Sequence, residues 1–445
     1  MNPYVQQLDA ILPTGLTGTV MESDGATVAV AGFPAPVGAV ARIETTSADG
    51  LPAEVIGFRD QWTLVSPIGA LQGVRRGQRV RLVQTSRTVQ VGDGLLGRVI
   101  DAHGSTIDGG HECLLSARQP VHAAGPNATQ RPRIDAPLST GIRAVDGMLT
   151  VGRGQRLGIF AGSGVGKSVL LGMMARGTSA NIRVIALIGE RGREVNDFIE
   201  RDLGPEAMQQ TVVVVATSDQ PAVARVQAVL TATAVAEYFR DTGNEVLLLV
   251  DSLTRLAMAQ RALGLAAGEP PTTRGYPPSV FGLLPRIVER AGRTKTGSIT
   301  AFYSVLVEGD DLNEPVSDTV RGLLDGHIVL SRDLAAKGHY PAIDVLASIS
   351  RVMPDVTSED HQASVSLLRQ QMSTHREYAD LIAIGAYQRG ASETVDAAID
   401  AKPEIDKFLR QQVKECSTVE QARQAVTQLA AQCKNRKPTP VTQEA

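Results

Sequence analysis

The spacing of apolar residues divides the chain into three parts. In residues 1–85, short apolar runs are interrupted by glycine, proline and acidic residues, as at the turn 22–25. These runs predict six strands, at residues 17–21, 26–31, 37–44, 53–58, 63–67 and 78–83. Short strands at this spacing are typical of a small barrel rather than of alternating strands and helices. We therefore expect an N-terminal six-stranded β-barrel.

The apolar residues ahead of the first strand follow a helical spacing. They are Tyr4, Val5, Leu8, Ile11 and Leu12. This stretch predicts either a short docking helix or a frayed terminus. Because it carries Asp9 and no basic residue, it does not have the pattern of a signal peptide.

The second part, residues 86–360, changes to a pattern of strands alternating with longer helices. It begins with a Gly- and Pro-rich connector at residues 86–140. Continuous apolar runs then occur at residues 184–188, 212–216, 246–250 and 300–307. Such runs are typical of strands buried on both faces, as in a parallel sheet covered by helices. We expect a central α/β domain with a parallel sheet.

In the third part, residues 361–433, glycine and proline become sparse and apolar residues sit in helical contexts. These residues are Val365, Leu368, Tyr378, Leu381, Ile382 and Ile384. The pattern predicts a small helical C-terminal domain. The polar residues 434–445 predict a disordered tail.

Composition excludes few functions, but it indicates the chain's binding partners and cellular compartment. The net charge of −3 and the pI near 6.2 give no global attraction to nucleic acid or to anionic membranes. Three widely spaced cysteines form neither a disulfide framework nor a zinc pattern, which favours a reducing cytoplasm. Since no apolar run approaches the ~20 residues needed to cross a bilayer, we expect no membrane-spanning helix.

The strongest chemical signal is a glycine-rich loop between a predicted strand (residues 155–160) and a predicted helix (residues 169–176). The loop consists of Ala161, Gly162, Ser163, Gly164, Val165, Gly166, Lys167 and Ser168. Strand, loop and helix in this order are the context of a P-loop, and a chance glycine-rich turn seldom has all three. Its backbone N–H groups would bind phosphates, Lys167 would neutralise them, and Ser168 would ligate Mg²⁺.

Two further apolar strands end in carboxylates. The strand 245–251 ends at Asp251, which would hold the magnesium shell if its strand lay beside the P-loop strand. The strand 183–190 ends at Glu190, which would orient the attacking water if this strand also neighboured the P-loop. Taken singly, Asp251 fits a turn or a helix cap and Glu190 fits a solvated loop charge.

Arg351 follows the segment HYPAID at residues 339–344. By pattern alone it is a surface residue or half of a salt bridge. In oligomeric P-loop ATPases, however, a neighbouring subunit often inserts an arginine that neutralises transition-state charge, an effect of roughly 10³–10⁵ in rate.

Several motifs together resemble the catalytic β-type subunits of rotary ATPases. They are the P-loop, LLGRVID at residues 95–101, LSTGIRAVD at 138–146, GERGRE at 189–194 and the HYPAID…SR segment. The chain is most similar to the type III protein-export ATPases of flagella and injectisomes, on segments 268–281, 307–315 and 323–332. The runs PPTTR and TAFY look more flagellar than injectisome.

This resemblance implies a homohexameric ring with ATP and Mg²⁺ bound between subunits. One subunit would supply Lys167, Ser168, Glu190, Arg191 and Asp251, with Arg191 touching the γ-phosphate. Arg351 would come from the neighbouring subunit. Tyr340 matches a position where an aromatic ring lies against adenine, and a buried core tyrosine is the alternative.

The resemblance also implies partners and a location. The barrel would drive ring assembly, and the leading helix would bind a dimeric regulator. The C-terminal domain would face a coiled-coil stalk, the export gate, chaperones and export substrates, and the ring would lie in the cytoplasm, peripheral to the inner membrane. Residues 378–388 match the export pattern and lack the acidic lever motif of energy-synthesising β-subunits.

Other functions remain open on sequence grounds. An injectisome ATPase shares most of these motifs. A non-catalytic rotary-ATPase subunit would lack the carboxylate that Glu190 provides. An RNA translocase of the Rho type would need a nucleic-acid-binding N-terminal domain, but residues 1–85 contain no lysine and one basic cluster, at residues 75–81. We expect no nucleic-acid partner.

Overall fold

The computed structural model describes residues 15–435, except 25–26, 47–49, 70, 308, 310 and 312. The expected leading helix and residues 436–445 of the expected tail lie outside the described residues. Within the described part, no helix has the length and apolar character needed to cross a membrane.

The N-terminal part is a closed barrel, as the spacing of the apolar runs predicts. Its six antiparallel strands are Thr17–Ser23, Val28–Ala31, Val40–Ile43, Leu51–Arg59, Trp62–Pro67 and Arg79–Gln84. The first strand pairs with the second and the sixth, which closes the ring of hydrogen bonds. In the sixth strand Val80 points into the core while Arg79 and Arg81 are exposed, so these arginines are on a solvated strand face.

A buried polar network joins the barrel to the central domain. Glu54, on the fourth barrel strand, accepts hydrogen bonds of 2.7 and 2.6 Å from the side-chain amide of Gln227, on the helix Ala222–Asp241. Arg87 donates to the same carboxylate at 3.4 Å. All three side chains are buried. The connector then forms a separate two-stranded antiparallel sheet from the strands Thr88–Val91 and Ala117–Pro120.

The central domain is built on a nine-stranded sheet. Eight of the strands lie side by side in the order Ile349–Ser350, Gly326–Leu330, Arg156–Ala161, Ser298–Leu306, Glu245–Asp251, Ile182–Ile188, Thr211–Ala216 and Val99–Ile100. The ninth strand, Gly292–Arg293, pairs with Ser298–Leu306. All neighbours from Gly326–Leu330 to Val99–Ile100 in this order are parallel. The predicted parallel sheet is confirmed, and the connector adds its edge strand. A separate two-stranded sheet pairs Pro137–Leu138 with Val151–Gly152.

Helices cover both faces of this sheet. They are Arg143–Met148, Lys167–Gly177, Gly192–Asp197, the π-helix Phe198–Leu203, Gly204–Met208, Ala222–Asp241, Leu253–Ala266, Pro278–Val288, Pro315–Leu323, Arg332–Ala336 and Met353–Val356. Short 3₁₀ helices occur at Asp93–Leu95, Ala128–Gln130 and Thr273–Gly275. Alternate residues of a strand, such as Val184 and Ile185, belong to separate buried clusters on the two faces. Burial on both faces is why these strands read as continuous apolar runs.

The C-terminal part is helical, as expected. Its helices are Glu359–Glu377, Ala379–Ala383, Glu393–Leu409 and Val419–Asn435. The last helix includes residues 434 and 435, which the sequence assigned to the tail. Gly147, on the helix Arg143–Met148, makes a close contact with this part, since a Cβ there would lie 2.8 Å from the Phe408 ring.

One buried ion pair ties the connector to the central core. Arg290 donates to both carboxylate oxygens of Glu237, at 2.9 and 2.5 Å, and both side chains are at most 3% exposed. A third bond of 2.6 Å runs from Arg290 to the carbonyl of Val121 in the connector. The Arg290 charge is therefore paired with Glu237 in a buried site.

Arg290→Met should lower the free energy of unfolding by about 3–5 kcal/mol, because it leaves Glu237 buried without a counter-charge. Urea denaturation followed by circular dichroism measures the change. The matched control is Arg389→Met, which breaks the more exposed Arg389–Asp400 pair and should cost less than ~1 kcal/mol. Equal losses in the two variants would contradict the prediction.

Candidate active site

The P-loop has the local structure that its sequence predicts. The strand Arg156–Ala161 ends in the loop, and the following helix begins at Lys167. Gly164 and Gly166 have positive φ angles of 80° and 91°, which glycine adopts at little cost. No atom lies within 4 Å of a Cβ built on Gly164, so the loop backbone faces open space. The Lys167 side chain is buried and Ser168 is exposed.

Lys167 reaches across the end of the sheet to Asp251. Its Nζ contacts Oδ1 of Asp251, and the hydroxyl of Ser304 donates to the same oxygen at 2.6 Å. The expectation that the Asp251 strand lies beside the P-loop strand is wrong, because Ser298–Leu306 runs between them and supplies Ser304. A long lysine side chain bridges this extra strand.

Glu190 follows the strand Ile182–Ile188, which the structure places third from the P-loop strand rather than next to it. Its side chain is nevertheless only 15% exposed and lies near Asp251 and Lys167, at the edge of the sheet where the P-loop begins. Burial raises the pKa of Glu190 to about 7, and the nearby Asp251 charge adds to the effect, while Lys167 and Arg255 oppose it. A carboxyl group with this pKa exchanges a proton near neutral pH.

Arg255 belongs to this cluster, although the sequence interpretation did not include it. It lies on the helix Leu253–Ala266, and its guanidinium is 3.4 Å from each Glu190 oxygen and contacts the Gly189 carbonyl. Gly189 has a φ of 68°, and a Cβ there would lie 2.8 Å from Cδ of Arg255. The only hint in the sequence was its place in the first turn of the helix that follows Asp251.

Two expected site residues lie elsewhere. The Arg191 side chain is 82% exposed and has its ion pair with Glu194, at 3.7 Å. Arg351 is exposed and, among the described residues, forms no ion pair. Arg351 follows Ser350, which pairs with Gly326, the first residue of the strand Gly326–Leu330. The last residue of that strand, Leu330, pairs with the end of the P-loop strand. Arg351 is thus about 13 Å or more from its own P-loop edge.

A cavity of about 1190 Å³ opens beside the P-loop, between the central and C-terminal domains. Gly166, Val169, Met173, Tyr340, Phe408 and Val413 contribute to its wall. Tyr340 is 46% exposed, so the alternative of a buried core tyrosine is wrong. Its ring lies over Gly166, where a Cβ would be 3.5 Å from Cε1.

These groups fit a nucleoside triphosphate with a divalent cation. The open P-loop backbone and the ammonium of Lys167 suit phosphate oxygens, and the apolar cavity with its aromatic ring suits a base. Ser168, Ser304 and Asp251 offer the hard oxygen ligands that Mg²⁺ prefers. The Asp251 carboxylate already forms an ion pair with one cation, the ammonium of Lys167.

Comparison with known proteins agrees with this geometry. Residues 141–350 match the ATP synthase alpha/beta family, nucleotide-binding domain, and residues 357–428 match the T3SS EscN ATPase C-terminal domain. The chain is 52% identical to the flagellum-specific ATP synthase of Bacillus subtilis, over 85% of this chain and 86% of that protein. It is 47% identical to the type 3 secretion system ATPase of Xanthomonas euvesicatoria, over 92% of this chain and 93% of that one.

A solved structure gives the same result at the level of the fold. The assembled ATPase EscN in complex with its central stalk EscO, from enteropathogenic E. coli, superposes with a TM-score of 0.86 at 42% identity. The match covers 93% of this chain and all of that one. The chain is therefore an ATPase that belongs to the family of flagellum-specific ATP synthases and type 3 secretion system ATPases.

Proposed function

We propose that the chain hydrolyses ATP as a homohexameric ring and that this hydrolysis energises protein export through a flagellar type III apparatus. The observation that carries the proposal is the convergence of Lys167, Asp251 and Glu190 at one edge of the sheet, beside a cavity of adenosine-binding character. The relatives at 47% and 52% identity support the export role.

The phosphate end of the site binds and positions ATP. The loop backbone from Gly162 to Gly166 donates to phosphate oxygens, and Lys167 leaves Asp251 to neutralise the β- and γ-phosphates. Ser168 and Asp251 would hold Mg²⁺, which would supply charge neutralisation on the phosphates when bound. Tyr340 packs against the adenine.

Glu190 is the group that makes the site hydrolytic. Its ionised carboxylate accepts a hydrogen bond from a water and orients it in line with the γ-phosphate. Arg255 fixes the carboxylate by contacts at 3.4 Å. Arg191, exposed at the start of the helix Gly192–Asp197, turns inward to the γ-phosphate when ATP is bound.

Arg351 acts on the neighbouring subunit. Its place at the opposite edge of the sheet from its own P-loop supports this assignment, because only another subunit can bring it to a γ-phosphate. The barrel makes the ring contacts and the N-terminal residues bind a dimeric regulator. We place the ring in the cytoplasm, at the inner-membrane export apparatus.

The other partners follow the same proposal. The stalk complex of EscN supports a central coiled-coil stalk as a partner of the C-terminal helices. The export gate, chaperones and export substrates bind on the same side. We keep the proposed domain borders at residues 85/86 and 360/361. They lie within two residues of the end of the last barrel strand, Gln84, and of the start of the first C-terminal helix, Glu359, which supports them.

Expression of this chain in a strain that lacks its flagellar ATPase should restore swimming motility, because export of flagellar subunits resumes. Spreading in soft agar and flagellin in the medium are the measurements. Lys167→Ala serves as the inactive control. Rescue of effector secretion in an injectisome-ATPase deletion strain without rescue of motility would favour the injectisome function instead.

The kcat/KM for ATP should fall as pH decreases through about 7, because protonated Glu190 cannot accept a hydrogen bond from water. The sign follows from the raised pKa: the active carboxylate form exists above that pH. Steady-state phosphate release between pH 5.5 and 8.5 measures the profile. Glu190→Gln should lose activity at every pH while it still binds ATP.

The matched control is Glu206→Gln, because Glu206 is an exposed glutamate that follows Glu190 in the chain. This variant should keep the wild-type pH profile of kcat/KM. A Glu190→Gln protein that retains more than about a hundredth of the activity would exclude Glu190 from general base catalysis.

Lys167→Ala and Arg351→Ala should each abolish turnover, and a mixture of the two inactive proteins should recover part of it. In mixed rings, about a quarter of the interfaces combine an intact P-loop with an intact Arg351. Phosphate release after mixing at equal concentration measures the recovery, and Arg389→Ala, an exposed arginine on the C-terminal domain, should stay active. Absence of recovery in rings that demonstrably mix would disprove action in trans.

A further inference from the structure

A loop of the C-terminal domain closes one side of the nucleotide cavity. We name residues 410–417, between the helices Glu393–Leu409 and Val419–Asn435, the clasp loop. Val413 and the buried Gln411 in this loop, and Phe408 just before it, border the cavity. Since the loop belongs to the C-terminal helices, its attachment decides whether the cavity keeps that wall.

Gln411 is the centre of the attachment. Its side chain is buried and makes three hydrogen bonds: Oε1 accepts from the backbone N–H of Arg143 at 2.8 Å, and Nε2 donates to the carbonyls of Gly141 at 2.7 Å and Glu415 at 2.9 Å. Its backbone N–H donates to the Tyr340 carbonyl at 3.0 Å. One residue thus joins the loop to the 141–143 turn and to the residue expected to contact adenine.

Two arginines of the central domain hold the same loop from outside. Arg143 donates to the carbonyls of Phe408, at 3.3 Å, and Arg410, and it pairs with the Glu415 carboxylate at 3.4 Å. Arg176, at the end of the P-loop helix, donates to the Val413 carbonyl at 2.8 Å. These bonds go mostly to main-chain carbonyls, so they fix the path of the loop rather than one side chain.

The clasp loop is separate from the phosphate end of the site. Lys167 contacts the Asp251 carboxylate, and the Ser304 hydroxyl donates to the same carboxylate. None of these three residues borders the cavity. Loosening the loop therefore removes a wall from the base pocket while it leaves the P-loop intact.

We propose that Gln411 is a positioning residue for the base of the nucleotide: it holds the clasp loop and Tyr340 in place and so sets ATP affinity without taking part in hydrolysis. The proposal rests on the proposed function, in which adenine packs against Tyr340.

The physical reason is the cost of unpaired groups. Without the Gln411 amide, the Gly141 and Glu415 carbonyls and the Arg143 N–H lose their partners while the loop stays docked. Buried polar groups without partners are unfavourable, so the loop shifts toward a detached, hydrated state. If the docked fraction falls to about a tenth, the apparent affinity for the nucleotide falls about tenfold.

The test is Gln411→Leu, which keeps the volume and removes the hydrogen bonds. The KM for ATP and the calorimetric Kd for Mg·ADP should rise about tenfold, equal to ~1.4 kcal/mol, while kcat changes less than about twofold. The Kd for Mg·pyrophosphate, which has no base, should stay within about twofold. A merely structural role would weaken both ligands alike.

Gln424→Leu is the matched control, because Gln424 is exposed on the helix Val419–Asn435 of the same domain. It should bind ADP and pyrophosphate like the wild type. A second variant, Arg143→Met, loosens the loop from its other side and should weaken ADP selectively as well. Combined with Gln411→Leu it should add little, since both act on one docking equilibrium.

Equal losses for ADP and pyrophosphate, or no loss for either, in both Gln411→Leu and Arg143→Met would overturn the proposal. Failure of the proposed function looks different, because the wild-type protein would then show no ATP turnover or Lys167→Ala would turn over ATP normally. If Gln411→Leu does not fold, Arg143→Met alone decides, by the same comparison of ADP with pyrophosphate.

Discussion

The contact between the ammonium of Lys167 and the carboxylate of Asp251 joins the halves of the candidate site. Both side chains are buried, at no more than 10% exposure, so each charge depends on the other or on a ligand that replaces it. The contact forms because the strands before the P-loop and before Asp251 run parallel and end at the same edge. Ser304, from the strand between them, fills the gap that this arrangement leaves.

The same pair sets the electrostatics around Glu190. Burial and the Asp251 charge favour the protonated form of Glu190, while Lys167 and Arg255 favour its carboxylate. Because these effects oppose each other, the pKa rises to about 7 and no further. In the proposed mechanism, phosphates would draw Lys167 away from Asp251 and so change the surroundings of Glu190, which would link nucleotide binding to the protonation of this carboxyl group.

The C-terminal helices are part of the nucleotide site rather than an appended module. They pack in the same buried cluster as the P-loop helix, where Val365 and Val426 lie with Leu170 and Leu171. The clasp loop adds polar contacts to this apolar packing, and it forms the part of the cavity wall that the C-terminal domain supplies. A movement of these helices would therefore be transmitted directly to the cavity wall.

The sequence by itself determined the features that depend on local chemistry: the barrel strands, the glycine-rich P-loop between its strand and its helix, and the carboxylates that end apolar strands. It was wrong about which strands are neighbours, because apolar runs do not encode their order in a parallel sheet. Tertiary structure alone brought Arg255 to Glu190 and exposed Tyr340 to the cavity. It also placed Arg351 at the far edge of the sheet and brought Gln411 to the 141–143 turn. Each of these contacts joins residues separated by tens to hundreds of positions, and only the packing of the whole chain brings such residues together.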